Sequence, residues 1–434
     1  MSTTAKRSTS LLLLPVLAAN AVSVAGTRLT AIAVPWLVLT TTGSATRTGL
    51  VAACELTPLV VSKALCGPVI DRLGSRRVSV CADLLSAAAV ALVPLLHLAG
   101  MLSFPVLLVL VAVAGAARGP ADTSKFTLGP DIADAAGLPL ERVTGLVSAT
   151  ERTAMIIAPA LAGAVIGAAG PANALLLDAA SFVVCAVAVG LRAPKRHRPA
   201  AEPAGEAAAP EPYLAQLRGG WTFLTSDRMV RSLVAMVSVT NLVDAAYSAV
   251  LLPVWIRDHG YGALELGLIG TAFSVTAAGA ALLAAAYGER VPRRAAFLVG
   301  FFLGGVPRFA AMALGAPMWC VIGVALVGGF GSGFINPVLS AVFVERIPRD
   351  LLGRVSSLAE AAAWAGMPLG GILAGSAIAA AGLAPVLVTA GAVYLAAVVV
   401  PGLLPQWSEM DRRDRPHDAV RPAPRQPQQT ESGA

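Results

Sequence analysis

Apolar runs of about twenty residues recur along almost the whole chain. Roughly twenty apolar residues are what a helix needs to cross the hydrocarbon core of a bilayer. Only 13% of the 434 residues are charged, whereas soluble domains have about 25%. The sequence therefore predicts an all-α membrane protein. We expect twelve spanning helices, at 11–41, 48–68, 78–99, 103–126, 143–169, 172–191, 230–256, 264–287, 294–314, 317–343, 354–381 and 383–404.

The N-terminal segment has two interpretations. Lys6 and Arg7 precede an apolar stretch in which residues 19–21 resemble the cleavage site of a secretory signal. The apolar stretch continues past that site to about Thr40, which is longer than the apolar part of a signal peptide. We therefore interpret it as the first spanning helix.

The basic residues are distributed unequally between the two predicted sides of the membrane. When residues at the very ends of these spans are counted with the adjoining loops, 25 of the 32 Lys and Arg residues lie on the side that holds both termini, and only Arg47 and Arg257 lie on the opposite side. Short loops rich in Lys and Arg stay in the cytoplasm. We therefore expect a multi-pass protein of the plasma (inner) membrane with both termini cytoplasmic. The net charge of +7 then reflects topology and indicates no nucleic-acid partner.

Residues that bind metals or form disulfides have no favourable spacing in this sequence. The five cysteines contain no CxxC pair, and the four histidines are scattered. Neither a GxxxxGK[ST] phosphate loop nor an HExxH motif occurs. We therefore expect neither an enzyme nor a metal or cofactor site, with a proton gradient as the energy source. We also expect a monomer.

The two halves of the chain repeat one another. Pro35 is matched by Pro253 and Gly49 by Gly267, both 218 residues later, and an RV-x-x-L segment recurs at an offset of 212. Two bundles related by an axis along the membrane normal form a known transporter architecture, with the substrate site between them near mid-membrane. The sequence therefore predicts two pseudo-symmetric six-helix bundles.

The predicted organisation has five parts. They are a cytoplasmic N-terminus at 1–10, a first six-helix bundle at 11–191, a cytoplasmic linker at 192–228, a second bundle at 229–404 and a disordered cytoplasmic tail at 405–434. Within the linker, Leu214, Leu217, Trp221 and Leu224 recur at helical spacing. This pattern fits either an amphipathic helix in the membrane interface or an ordinary linker helix.

The segment GPVIDRLGSRR, residues 67–77, concentrates charge between two apolar runs. Its first glycine allows close backbone approach and its second a tight turn. Its aspartate can stabilise a neighbouring helix N-terminus, and its arginines supply forked donors for carboxylates. These contacts either hold the two bundles together when this face is closed, or the arginines only fix topology. The predicted gating residues are Gly67, Asp71, Arg72, Gly74, Arg76 and Arg77.

The pattern G-x-x-x-D-R-x-G-x-R-R in this segment resembles the signature loop of the major facilitator superfamily. TGSAT at 42–46 and NPVLSAVFVERIP…GRVSSL at 336–358 resemble the drug/proton antiporter group that includes macrolide-efflux-type exporters. The similarity extends over about residues 11–404. It implies the twelve-helix fold of that superfamily, in which Asp71 and Arg77 hold the inward-closed face.

Ionisable residues within spans cost about 2.5–3.5 kcal/mol each on insertion scales and are functional candidates. Arg28 lies near the middle of the first span with Asn20 on the same face, so both are candidates to line a cavity. The fourth and fifth spans carry four more such residues, which form either a structural network or a coupling site: Arg118, Asp122, Glu151 and Arg152.

Glu55 is the first candidate for carrying protons. It stands about two turns from the outer end of the second span, and apolar surroundings favour the neutral form of a carboxyl group. The resemblance adds that related exporters often have an acidic residue at this place. The alternative is a permanent ion pair with Arg28 or Lys63.

Asp244 is the second candidate for carrying protons. It lies near the middle of the seventh span, with Asn241 on the same face, and Arg308 lies within the ninth span. Asn241 and Arg308 are therefore further candidates to line a cavity in the second bundle.

These features predict a secondary active transporter. We expect proton-coupled efflux of amphipathic organic compounds, such as drugs or secondary metabolites, by alternating access. The alternatives are proton-coupled uptake of a nutrient or metabolite, and a non-transport role as a membrane sensor or lipid-handling protein. A wide apolar cavity favours efflux, whereas a cavity dominated by paired polar residues favours uptake. The expected partners are a small-molecule substrate, protons and the lipid bilayer.

Overall fold

Long helices form nearly all of the structure, a computed structural model that describes residues 3–194, 213–348 and 351–411. Eleven helical segments in these ranges are long and apolar enough to cross a membrane. The longest, Leu140–Arg192, is interrupted by Gly170 with a φ of 81° and therefore contains two spans. The predicted twelve-helix fold is thus confirmed. We number the spans α1 Thr3–Thr42, α2 Ala45–Leu65, α3 Ser75–Leu98, α4 Phe104–Thr127, α5 140–169, α6 171–192, α7 Arg228–Asp258, α8 Ala263–Tyr287, α9 Arg293–Ala313, α10 Met318–Arg346, α11 Leu352–Ala381 and α12 Leu383–Gly402.

The six turns at one end of the bundle have a common construction. Each contains a glycine with a positive φ, a backbone conformation that side chains with a Cβ rarely adopt. The glycines of the first half recur in the second half after 217, 215 and 212 residues, close to the sequence offsets. This regularity supports the internal repeat. The six residues are Gly43, Gly100, Gly170, Gly260, Gly315 and Gly382.

We call this end the glycine face and the opposite end, which holds the charged segment 67–77, the basic face. Within the first half, α1 packs on α5 and α6, and α4 packs on both α2 and α3. In the second half, α9 and α10 pack together, α9 contacts α12, and α7 contacts α11. The halves meet where α2 crosses α11 and where α5 crosses α8.

Glycines allow these two crossings between the halves. A Cβ atom on Gly371 would lie 2.9 Å from the carbonyl oxygen of Gly49, and one on Gly163 would lie 2.6 Å from the carbonyl oxygen of Ala263. Small residues let helix backbones approach closely within a membrane. Both crossings lie in the halves of the helices nearer the glycine face, so the bundles are held together at that end.

At both ends of the chain, helical structure extends beyond the predicted spans. The first helix begins at Thr3 rather than near residue 11, since no proline or glycine precedes Pro15 to interrupt it. At the other end, Pro405–Asp411 forms a 3₁₀-helical turn. Its Trp407 is fully buried because the indole packs on Phe297 with ring centroids 5.9 Å apart. The rest of the predicted tail, 412–434, lies outside the described residues.

The predicted linker contains one described helix. Tyr213–Ser226 packs on the start of α7 and on the basic-face end of α11. Leu224 is buried there, whereas Trp221 is exposed. This amphipathic division follows the helical spacing of the apolar residues in the sequence. Residues 195–212 lie outside the described part of the chain.

Candidate functional site

A cavity of about 670 Å³ lies in the second half, lined by side chains of α7 to α12. It extends from Asp244, Arg308 and Tyr394 within the helices to Phe343 and Leu352 at the basic face. Fifteen of its 23 lining residues are aliphatic, aromatic or glycine. Ligand cavities typically combine such walls with a few polar groups that fix orientation. The cavity can therefore accept a largely apolar molecule.

Asp244 and Arg308 form an ion pair at the deep end of the cavity. The side chain of Asp244 is 41% exposed and that of Arg308 is 15% exposed, so the carboxylate faces the open space. The guanidinium carbon lies 4.1 Å from the ring centroid of Tyr247, 4.9 Å from that of Phe309 and 5.6 Å from that of Tyr394. Cation–π contacts of this kind hold Arg308 in place, and no spacing of residues along the chain indicated them.

Two further features of α7 shape this region. Tyr247–Leu251 is a π-helical turn, and such turns occur frequently at functional sites. Asn241 donates a hydrogen bond from its amide to the carbonyl oxygen of Ala363 on α11 at 3.1 Å. The structure thus brings together three of the residues that the sequence proposed for the second half, Asn241, Asp244 and Arg308, around one cavity.

Glu55 forms an ion pair within the first half. Its Oε1 accepts a hydrogen bond from Nη1 of Arg118 at 2.7 Å, and both residues are buried. The predicted alternative with Arg28 or Lys63 is therefore wrong in its partner. The reason is geometric, because α2 packs directly along α4.

The predicted four-membered network on α4 and α5 is not formed. Arg118 pairs with Glu55 instead, and Glu151 accepts a hydrogen bond from the amide of Asn20 at 3.1 Å. Asp122 and Arg152 have exposed side chains. Residues predicted to lie at the same depth in the membrane need not be in contact, because the rotation of each helix about its axis decides where a side chain points.

Arg28 is exposed although it lies in the middle of α1. It is close enough to Arg118 and Asp122 for their charges to act on it. The expectation that Arg28 lines a cavity stays a prediction, since Arg28 is not among the residues that line the cavity described above.

Two buried polar clusters were missed by the sequence reasoning. Nζ of Lys125 donates hydrogen bonds to Asp83 and to Ser23, both at 2.9 Å. Asp178 accepts hydrogen bonds from the hydroxyls of Thr30 and Ser181. Lys125 lies at the end of the predicted fourth span, 103–126, and was counted with the adjoining loop, whereas in the structure it belongs to the last turn of α4. A charged residue within the last turn of an apolar run was the available signal.

The charged segment 67–77 is folded but makes few contacts. Gly67–Leu73 is a short helix, and Gly74 has a φ of 84° that requires glycine, as predicted. Among the described residues no atom lies within 4 Å of a Cβ placed on Gly67, so they show no close approach there of the kind predicted. Arg76 donates to the carbonyl oxygen of Gly190 on α6. The remaining predicted gating residues, Asp71, Arg72 and Arg77, are exposed.

The glycine face is closed by contacts between the halves. Arg257 donates a hydrogen bond from Nη1 to the carbonyl oxygen of Gly43 at 3.2 Å. The hydroxyl of Thr46 donates a hydrogen bond to the carbonyl oxygen of Gly375 at 3.1 Å. Together with the two glycine crossings, these bonds seal this end while the cavity reaches the basic face. Asp71, Arg72 and Arg77 are exposed at the opposite, basic face, and their gating role stays a prediction.

Comparison with known proteins bears on this arrangement. The family model described as Major Facilitator Superfamily matches residues 16–262 and 233–432, one match for each half. The chain belongs to the Major Facilitator Superfamily. It is therefore a membrane transporter with two six-helix bundles, and the resemblance seen in the charged segment is confirmed.

Relatives in this superfamily extend the comparison. The multidrug efflux pump Tap of Mycolicibacterium fortuitum is 31% identical over 414 residues, covering 93% of this chain and 98% of the pump. Tap of Mycobacterium tuberculosis strain H37Rv is also 31% identical, covering 91% and 94% of the two chains. Among solved structures, a bacterial homologue of the lysosomal transporter Spinster in an inward-facing, unoccupied conformation has a TM-score of 0.68 at 14% identity, covering 95% and 98%. This last likeness concerns the fold alone.

Proposed function

We propose that this transporter exports amphipathic organic compounds in exchange for protons. The observation that carries the proposal is the cavity, in which fifteen of the 23 lining residues are aliphatic, aromatic or glycine and Asp244 is paired with Arg308 at the deep end. Such a cavity favours efflux over the uptake of a polar nutrient. The Tap relatives are named multidrug efflux pumps and are 31% identical over most of both chains. Their similarity to this chain supports the same substrate class.

The orientation follows from the charge distribution. The basic face carries most of the Lys and Arg residues, and loops rich in these residues remain cytoplasmic. The protein would then lie in the plasma membrane with both termini in the cytoplasm. A cavity that opens on the basic face is the state in which an exporter takes up its substrate from the cytoplasm.

Two carboxylates are suited to couple export to protons. Each forms an ion pair with an arginine, Glu55 with Arg118 and Asp244 with Arg308. Protonation neutralises the carboxylate and leaves the arginine without its counter-charge, so it changes the energy of each bundle. One proton moving inward supplies about 2.3 kcal/mol per 100 mV. At 1.4 kcal/mol per tenfold, this is enough for a gradient of about forty- to fiftyfold.

Asp244 has the more direct route to substrate. Its carboxylate is half-exposed in the cavity, whereas Glu55 is buried between α2 and α4. A substrate that contacts this carboxylate and a proton bound to it therefore compete for the same group. We assign the proton exchange to Asp244 and a supporting electrostatic role to Glu55.

The test is transport into inverted membrane vesicles, with and without a proton gradient, across a panel of antibiotics and fluorescent dyes. Uptake of at least one compound should rise with the gradient and stop when an ionophore collapses it. Asp244→Asn should abolish the response to the gradient. Glu345→Gln is the matched control, because Glu345 pairs with Arg293 at 2.8 Å outside the cavity. Uptake that persists after complete collapse of the gradient excludes proton exchange.

A further inference from the structure

Lys63 and Trp364 connect the two halves beside the cavity. The ammonium nitrogen of Lys63 on α2 lies 4.8 Å from the centroid of the Trp364 ring on α11. Among the described side chains this is the cation–π contact that joins one half to the other; the remaining ones lie within a half. Lys63 forms none of the ion pairs found in the described ranges. Its side chain is exposed, and in the described ranges its ammonium group contacts the indole face.

Trp364 also lines the cavity, together with Glu360 one helical turn earlier. Residues four apart lie on the same face of a helix, so the carboxylate and the indole face the same space. Glu360 is exposed and takes part in no ion pair within the described parts of the chain. An aromatic face next to a free carboxylate is the chemistry that binds an organic cation.

The charge of the cavity wall points in the same direction. The ionisable residues that line the cavity are Asp244, Arg308 and Glu360, apart from the tyrosine Tyr394. Arg308 is paired with Asp244 and surrounded by aromatic rings, so its charge is already compensated. Glu360 leaves a surplus negative charge on the wall. A cationic group on the substrate would compensate it.

We propose that Trp364 and Glu360 form a subsite for the cationic group of the exported compound, and that Lys63 occupies the indole face when the cavity is empty. This proposal rests on the proposed export function. A lysine ammonium is a compact and strongly hydrated charge, whereas a lipophilic cation also gains from leaving water for the apolar wall. Such a cation therefore displaces Lys63 from the ring.

The displacement links substrate binding to the contact between the halves. Lys63 lies near the basic-face end of α2, beyond the crossing at Gly49 and Gly371. When Lys63 leaves Trp364, the basic-face parts of α2 and α11 lose the cation–π contact between them, while the glycine crossing remains. Lys63 is in this way a specificity-determining residue, because its ammonium group and the substrate cation compete for the indole face of Trp364.

Direct binding measurements test this competition. The probe is radiolabelled tetraphenylphosphonium, with triphenylphosphine oxide as a neutral compound of similar shape, and the sample is the purified full-length protein in detergent without a proton gradient. The variants are Lys63→Met, Trp364→Leu, Trp364→Phe, Glu360→Gln and the double variant of Lys63→Met with Trp364→Leu. Arg47→Met is the control for loss of a positive charge, since Arg47 lies over Phe104 within the first half, 5.2 Å from the ring centroid.

Lys63→Met should tighten tetraphenylphosphonium binding by about two- to thirtyfold, the range of a single cation–π contact. Trp364→Leu and Glu360→Gln should weaken it, and Trp364→Phe, which keeps an aromatic face, should stay within about threefold of the unmodified protein. The gain from Lys63→Met should disappear in the double variant, because the two residues act on one site. Arg47→Met should bind like the unmodified protein, and binding of the neutral compound should not change in Lys63→Met or Glu360→Gln.

Three results overturn the proposal. They are absence of tetraphenylphosphonium binding to both the unmodified protein and Lys63→Met, unchanged or weaker binding by Lys63→Met, and a gain from Lys63→Met that survives in the double variant. If Trp364→Leu also loses the neutral compound, its effect reports lost apolar packing. The proposal then stands only if Lys63→Met tightens tetraphenylphosphonium binding and Trp364→Phe retains it. The export proposal fails separately, when vesicles show no gradient-driven uptake of any compound.

Discussion

Arg118 on α4 donates a hydrogen bond to Glu55 on α2 at 2.7 Å, and the two side chains are only 10% and 12% exposed. The pair connects neighbouring helices of the first half at a depth where water does not compensate either charge. Removing one member of a buried ion pair leaves the other uncompensated, which is more costly than replacing both by apolar residues.

We therefore expect Glu55→Gln to lower the free energy of unfolding by about 3 kcal/mol. The double variant with Arg118→Met should lose less than the single variant. Unfolding in mixed micelles of increasing sodium dodecyl sulfate measures both. A double variant less stable than Glu55→Gln alone would show that the charge of Arg118 is satisfied elsewhere.

The crossing of α5 and α8 allows a second test. A Cβ on Gly163 would lie 2.6 Å from the carbonyl oxygen of Ala263, whereas the nearest atom to one on Gly167, a turn further along α5, is Cβ of Leu264 at 3.9 Å. Gly163→Ala should prevent closure of the glycine face and reduce transport at least tenfold, while Gly167→Ala should transport normally. Initial uptake rates per folded protein give the comparison. Equal rates for the two variants would mean that this crossing does not close the face.

The two glycines of the charged segment should respond differently to substitution. Gly74 has a φ of 84°, whereas Gly67 is helical, and in the described part of the chain no atom lies within 4 Å of a Cβ position on either. Gly74→Ala therefore adds only backbone strain, which costs about 1–3 kcal/mol. Gly67→Ala should be neutral or slightly stabilising, because alanine favours the helix. Thermal unfolding in detergent separates the two, and a loss with Gly67→Ala would reveal a contact made in another conformation.

Trp407 should stabilise the basic face of the second half. Its indole is fully buried and donates a hydrogen bond to the hydroxyl of Ser232 at 3.0 Å. Trp407→Ala should cost about 3–5 kcal/mol, the usual range for a buried aromatic side chain. Trp319 is 76% exposed, so Trp319→Ala should have little effect in the same unfolding measurement. Similar losses at both positions would contradict the packing of the 405–411 turn.

Several features of the fold were predictable because they depend on local sequence. Each span is an apolar run long enough to cross a bilayer, and each turn at the glycine face contains a glycine. The helical spacing of Leu224 and its neighbours likewise predicted the helix Tyr213–Ser226. The extent of the first helix and the turn at 405–411 were missed, since the polarity of these segments resembles that of loops.

The partners of the charged residues were predicted less well. Asp83 pairs with Lys125 and Glu55 with Arg118, although many other combinations matched in charge and depth. Partner choice depends on which helices are neighbours and on how each helix is rotated about its axis. Neither quantity is contained in any single apolar run.

The sequence by itself determined the twelve spans, their duplication and the side that carries the positive charge, since these follow from residue-by-residue transfer between water and lipid. Only the tertiary structure decided that the cavity lies in the second half with Asp244 and Arg308 at its deep end. It also decided that the glycine face is the closed one. Burial and pairing arise from the packing of helices distant in the chain, and a hydropathy pattern records no information about that packing.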